Sequence, residues 1–370
     1  MITKDFALWL APNQRRVWDA TCLTDLALCP TRYQYARVDG LRSIPRDTEP
    51  RENPHTTFGH LLHGMTQQWD LLQYKRNASA DECSAAALEW AVREAWGEND
   101  APFGGFVLAQ WRCTGVLRQG ASGRRKYLCD AARDWWVGTD EACPHCGLPT
   151  QTKVSYVPEH AHKNLISLAR AVVAYEEHRA QSPWEVAMIA EQPALERTLM
   201  APLPGTQYML VGTLDRISRG PGGALWVHER KTTGMTPTNS WWASFELRLQ
   251  IGLYLWLCRE NGISVHGAIV ECFHISASGV DVSERTFSRT PAQLEEMIEQ
   301  TKMLIVAHDR PSHNFSVCDH ASGGMPCQYR SICAAPPADR ADVIALNYAR
   351  EPLWNPLTAK HDDDSQEGVA

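Results

Sequence analysis

Three residues near the middle of the chain carry the most specific chemistry: Asp215 in GTLDRI, and Glu229 and Lys231 in HERKT. Glu229 and Lys231 stand two apart in a stretch that reads as a strand, and the two-residue period of a strand points both to one face. Asp215 falls late in the preceding strand of the same hairpin, so two carboxylates and an ammonium converge. Hard oxygen ligands of this kind suit Mg²⁺ or Mn²⁺, which keep waters and bridge to a phosphate, while a neighbouring Lys orients or deprotonates an attacking water. That is equipment for phosphodiester hydrolysis. Taken alone, E-x-K equally describes a surface ion pair, because a charged alternate row on a strand usually faces solvent. Its setting favours a site: Trp226 and Val227 lead into it, Asp215 lies on the partner strand, and a helix follows. On that helix Gln250 and Tyr254 are four apart, so they share a face and reach the same groove.

The elements that must position these residues can be read from periodicity. Residues 56–74 repeat Phe58, Leu61, Leu62, Met65, Trp69 and Leu72 at helical spacing, and a second helix is expected over 80–96. Further on, a helix at 159–180 is followed by an extended stretch at 184–191, a hairpin formed by 206–218 and 224–233 around GPGG, a helix at 241–258, a strand at 264–275 and a helix at 291–308 with Pro at its first turn. The resulting order is αβββαβ, an α/β (α+β) core. Composition divides the chain into an N-terminal helical region (1–103), a Cys-, Arg- and Trp-rich insertion without periodicity (104–152), the core (153–310), a Cys-bearing segment (311–340) and a tail (341–370) that turns polar and charged from about Thr358.

The motifs G-T-L-D-R-I, H-E-R-K-T and Gln250-x-x-x-Tyr254 together resemble the RecB-type branch of the PD-(D/E)XK nuclease superfamily, over most of the chain. The resemblance implies a restriction-endonuclease-like fold and a metal-dependent DNA nuclease. It extends to Gly59-x-x-x-His63, which implies His63 as a further metal ligand, and it implies that the backbone carbonyl of Arg230 joins the metal shell. Glu191 is similar to a recurrent acidic position of the family. Many relatives carry Asp where Glu229 stands and an aromatic residue where Arg230 stands; Glu still supplies a carboxylate.

Twelve cysteines in a chain expected to stay in the cytosol of a bacterial or phage-infected cell point to metals rather than disulfides. Cys318, Cys327 and Cys333 cluster as C-x8-C-x5-C. Family members with an iron–sulfur cluster pair three such cysteines with one near the N-terminus, and Leu28-Cys29-Pro30-Thr31-Arg32-Tyr33 resembles that element, which implies Cys29 as fourth ligand of a [4Fe-4S] cluster. Relatives more often separate the first two of the three by two residues. Four thiolates leave a Zn²⁺ site open as the alternative. Cys143-x-x-Cys146 is a knuckle, and Cys113 and Cys129 upstream complete a Zn²⁺ set, with His145 as a substitute ligand. Cys258 and Cys272 read as core residues, while Cys22 and Cys83 have no assigned partner.

With 36 Lys and Arg against 43 Asp and Glu, the net charge of −7 argues against a protein that coats nucleic acid by bulk charge. A local contact surface remains: Arg112, Arg118, Arg124, Arg125 and Lys126 mix with Trp111, Trp135 and Trp136, a composition suited to single-strand phosphate contact and base stacking, or equally to a solvated loop with structural tryptophans. No apolar run is long enough for a membrane helix, and no signal peptide or P-loop is recognisable, so an ATP-driven helicase or recombination partner would supply any translocation. The leading expectation is an exonuclease or end-processing enzyme acting on single-stranded or frayed DNA in recombination, repair, CRISPR adaptation or phage DNA metabolism. A non-catalytic nucleic-acid-binding protein on a degenerate nuclease fold, and a redox-sensing iron–sulfur protein, are the competing expectations.

Overall fold

The computed structural model describes residues 17–44, 54–76, 78–96, 103–119, 124–127, 129, 131, 135–137, 142–307, 312–318 and 326–352. Helix α1 (Ala20–Leu28) opens on Asp19, whose carboxylate caps Cys22 N at 2.6 Å. Helices α2 (Pro54–Arg76) and α3 (Ala80–Trp96) pack side by side. Strands β1 (Gly105–Cys113) and β2 (Thr150–Pro158) pair antiparallel, and helix α4 (Leu165–Gln181) starts where Asn164 caps Ser167 N. Then come β3 (Leu195–Pro202), β4 (Met209–Arg219), β5 (Leu225–Thr233), helix α5 (Leu249–Glu260), β6 (Val265–Ile275), β7 (Val280–Phe287) and helix α6 (Pro291–Ala307).

The central sheet is mixed: β4 is antiparallel to β3 and β5, β5 runs parallel to β6, and β6 is antiparallel to β7. A parallel step needs a crossover, and α5 provides it. Its buried residues from Ile251 to Cys258 join Leu214, Val227, Val270 and Cys272 in the larger core. On the opposite face α2, α3 and α4 enclose Phe58, Met65, Trp69, Tyr175, Phe273 and Ile275. Two apolar layers thus cover both faces, as a parallel pair requires.

The expected αβββαβ order is present, with four local corrections. The first long strand of the core is β3, not 184–191, which holds only the short strands Glu185–Val186 and Met188–Ile189. The expected helix at 241–258 is two, Asn239–Ala243 and α5, because Phe245 turns into the core between them. The aperiodic insertion is a β module: β1 and β2 form its long pair, and Val116–Gln119 pairs with Arg124–Tyr127. Exposed apolar residues such as Phe106, Val107 and Val154 break the alternation that would have marked its strands. The segment counted as tail begins with helix α7 (Arg340–Asn347) and the strand Tyr348–Arg350, which pairs with Leu41–Ser43; the stretch from Thr358 lies outside the described residues.

Candidate metal-dependent active site

The site forms where the β4–β5 ladder gives out. Regular pairing runs from Arg219↔Leu225 to Arg216↔His228. Beyond it the next contact is made by a side chain, as Arg230 N–H donates to Asp215 Oδ2 at 2.7 Å. The ladder stops there, beside the buried carboxylates of Asp215 and Glu229.

Asp215 Oδ1 lies 3.2 Å from Nδ1 of His63, which projects from the middle of α2. A third acidic residue joins them. Glu196 falls between the pairs Leu195↔Arg216 and Arg197↔Leu214, directly across from Asp215, in a left-handed backbone conformation (φ 43°) unusual for a non-glycine residue. One ligand atom each from His63, Glu196 and Asp215 lies within 4.8 Å of the others. Glu191 instead occupies an exposed turn between Met188–Ile189 and Gln192–Pro193. No sequence signal marks Glu196, because its place across from Asp215 exists only through strand register.

Glu229 is buried beside this group, only 2% exposed. Its Oε1 accepts from Lys231 Nζ and from Gln250 Nε2 at 2.8 Å, and Gln250 in turn donates to Tyr254 Oη at 3.0 Å. Its Oε2 is buried with no hydrogen-bond partner. Such an oxygen costs free energy unless something occupies it. Tyr254 is seated against Gly212, where a Cβ would come within 2.6 Å of the ring. The Gly of G-T-L-D therefore makes room for the Tyr of Q-x-x-x-Y.

Electrostatics separate the two carboxylates. Burial works against charge on Asp215, but His63, Lys231 and Arg230 outweigh it and hold the carboxyl well below the ordinary range. Burial, reinforced by the Asp215 charge, pushes Glu229 up. His63 is raised because the attraction of Asp215 exceeds the cost of burial. Negative potential thus concentrates where a cation would neutralise it. One imidazole nitrogen and several carboxylate oxygens, one of them orphaned, fit a hard divalent ion.

Behind the site lies a buried ion network that the sequence did not announce. Asp70, two turns after His63 on the same face of α2, accepts from Arg216 Nη1 at 3.1 Å and from Arg230 Nη2 at 2.5 Å, while Arg230 Nε donates to Glu271 Oε2 at 3.0 Å. Tyr175 Oη donates to Asp70 at 2.9 Å. All of these side chains are fully buried.

Of the two expected cysteine sets, one forms a close group of sulfurs among the described residues. Cys113, Cys129, Cys143 and Cys146 bring their sulfurs within 4.8 Å of one another, without His145. The Cys113–Cys146 and Cys129–Cys143 separations are 3.5 and 3.8 Å, close to the edge of roughly 3.8 Å that Zn–S bonds of about 2.3 Å impose on a tetrahedron. Backbone N–H groups of His145 and Cys146 point at the Cys143 sulfur and, against burial, lower that thiol to about 7. Cys29, Cys318, Cys327 and Cys333 lie in one neighbourhood without meeting that 4.8 Å spacing among the described residues. Asn314 N donates to Cys29 Sγ at 3.4 Å, Cys327 N donates to Cys318 O at 2.8 Å, and burial together with charge on the other three sulfurs pushes Cys333 up to about 11. Cys258 and Cys272 are core residues; Cys22 and Cys83 are buried as well. In the insertion Arg112 stacks over Trp135 at 4.7 Å, whereas the side chains of Arg118, Arg124, Arg125, Lys126 and Trp136 lie outside the described residues. Among the described residues no helix is long and apolar enough to cross a membrane.

Comparison with known proteins yields one family. The sequence pattern of the PD-(D/E)XK nuclease superfamily matches residues 18–334. No curated protein matches. A solved structure described as "Crystal structure of SSO0001" aligns at 19% identity and a TM-score of 0.26, over 38% of this chain and 59% of its own.

Proposed function

As the chain belongs to the PD-(D/E)XK nuclease superfamily, we propose that it is a metal-dependent DNA nuclease that trims single-stranded or frayed ends, an exonuclease of the RecB type. One observation carries the catalytic reading: His63, Glu196 and Asp215 converge, and Glu229, bonded to Lys231, keeps a buried oxygen without a partner. Mg²⁺ or Mn²⁺ bound there, with the Arg230 carbonyl as a further ligand, would neutralise charge developing on the scissile phosphate and lower the pKa of a bound water. Lys231, held by Glu229, orients that water. Gln250 and Tyr254 fix the Glu229 carboxylate and form the wall along which the strand lies.

Two further metals belong to this reading. Zn²⁺ on Cys113, Cys129, Cys143 and Cys146 is supported by the tetrahedral sulfur spacing. A [4Fe-4S] cluster on Cys29, Cys318, Cys327 and Cys333 is supported by the approach of two segments far apart in sequence and by the resemblance noted above. The Arg112–Trp135 stack offers cation and ring surface for a single strand. Duplex would be opened by a helicase or recombination partner.

The test is a labelled single strand with a free end, incubated with Mg²⁺ or Mn²⁺ and anaerobically purified protein, beside Lys231→Ala. Mononucleotide or short products that vanish in the variant, with strand affinity unchanged, support the proposal. Wild-type protein that binds and never cuts overturns it in favour of a binding-only protein.

A further inference from the structure

A second cluster of metal-ligand side chains lies on the other face of the sheet from Glu229 and Lys231. His178 on α4, Glu271 on β6 and Glu284 on β7 each offer an atom within 4.8 Å of the other two. His178 Nε2 is 3.1 Å from Glu284 Oε2 and 3.5 Å from Glu271 Oε1. Zinc bonds to nitrogen and oxygen of about 2.0–2.1 Å set ligand–ligand edges of roughly 3.3–3.4 Å, so both separations are those of atoms around one ion.

Two further observations point the same way. Glu271 is fully buried, and its Oε1 accepts no hydrogen bond; His228 Nε2 at 3.4 Å and His178 Nε2 at 3.5 Å are its polar neighbours, with Arg216 Nη2 at 4.0 Å. A buried carboxylate oxygen in that condition is costly, and a cation relieves it. The second oxygen of each carboxylate is meanwhile held from behind. Arg230 Nε donates to Glu271 Oε2 at 3.0 Å, and Trp184 Nε1 donates to Glu284 Oε1 at 2.5 Å. Outer partners that fix ligand oxygens while the inner ones converge are characteristic of metal sites.

We infer that His178, Glu271 and Glu284 bind a divalent transition ion of the Zn²⁺ class, clamping α4 to the outer strands of the sheet. Imidazole with two carboxylates suits such an ion, and three protein ligands leave a fourth position for water. Glu271 shares its charge with Arg230 and Asp70 is shared by Arg216 and Arg230, so Glu284 supplies the further carboxylate charge that faces the ion. His178 and Glu284 are part-exposed at 16% and 24% of their side chains, so the ion has a route from solvent. The inference is independent of the nuclease reading, because none of these residues belongs to the site around Asp215.

The test is zinc content after dialysis of the full chain against excess Zn²⁺, measured for wild type, His178→Ala, Glu284→Gln and Asp215→Asn. His178→Ala and Glu284→Gln should each lose one zinc per chain, and Asp215→Asn should keep that zinc. Glu284 lies on the edge strand β7, so Glu284→Gln keeps the fold and serves if His178→Ala does not. Cobalt loading supplies the second readout. In a Cys143→Ser, Asp215→Asn background, the ligand-field bands that Co²⁺ adds to the spectrum of the cobalt-free protein should vanish on adding either variant. Zinc content unchanged in Glu284→Gln, or cobalt bands that persist in it, overturns the inference.

Discussion

Arg230 donates its backbone N–H to Asp215 Oδ2 at 2.7 Å, while its guanidinium lies buried on the other side of the strand against Asp70 and Glu271. One residue therefore couples the Asp215 carboxylate of the candidate site to the ion network behind the sheet. Strand alternation makes this possible: Glu229 and Lys231 point one way and the side chain between them points the other. Between Glu229 and Lys231 this chain carries a buried cation held by Asp70 and Glu271.

Asp70→Ala should leave the guanidinium groups of Arg216 and Arg230 buried without their shared anion. Removing one partner of a buried ion pair costs about 3–5 kcal/mol, and the expected result is a clear fall in thermal midpoint measured by circular dichroism. The two cations and the neighbouring Arg179 overcome burial and depress Asp70. A depressed carboxylate contributes stability above its unfolded value of about 3.9, lost only as pH falls through its lower folded value. Wild type should thus hold this contribution into mild acid. An Asp70→Ala midpoint equal to wild type would refute the network's role.

The acid limb of metal binding follows from Glu229 and His63, both raised. A proton competes with the ion for each ligand, so affinity for Mg²⁺ or Mn²⁺ should rise with pH from the ordinary carboxylate range until Glu229 has ionised, at about 7. Without metal the sign for stability is opposite. A raised carboxyl favours the folded state when protonated, so the Glu229 contribution is full at low pH and is lost as pH climbs through about 7. Titration calorimetry across this window in two buffers should show proton release on binding that disappears at high pH. Affinity independent of pH would rule out Glu229 and His63 as ligands.

Gly212→Ala places a methyl group 2.6 Å from the Tyr254 ring. The ring must shift, and with it the Gln250 bond to Glu229. Overpacking of this size costs about 1–3 kcal/mol. We expect cleavage to fall more than strand binding, measured side by side on one substrate. Cleavage at the wild-type rate would show that Tyr254 does not position Glu229.

Cys143→Ser should remove one zinc per chain, by elemental analysis, and expose the insertion to protease between β1 and β2. The central sheet, whose core shares no residue with the cysteine cluster, should keep its own unfolding transition. Zinc content equal to wild type would remove the site.

The shared faces of the candidate site residues were legible because two strong local rules apply to them. Alternation fixed the common face of Glu229 and Lys231, and helical spacing fixed that of Gln250 and Tyr254. Glu196 was not legible. Its strand was not recognised, and its relation to Asp215 exists only through register, which pattern alone does not supply. Asp70, Arg216 and Glu271 were hidden for a related reason: charged residues at inward positions look like surface until their partners, up to 160 residues away for Asp70 and Arg230, are brought to them. The edge strand β7 escaped because its alternate residues Asp281, Ser283 and Arg285 make it resemble a loop.

Asn314 bonds to the carbonyl of Leu28 across 286 residues, and Tyr348–Arg350 closes a strand pair with Leu41–Ser43. Closing loops of that length is entropically slow, and contacts with such separation form late. During synthesis at about 5–20 residues per second, the early segment waits many seconds for the late one to emerge. A polypeptide released before residue 312 would present Cys29 and the neighbouring helix without their clasp. The framework around Leu28 and Leu41–Ser43 thus closes only once residues 314 and 348–350 have been made, long after the central sheet is complete.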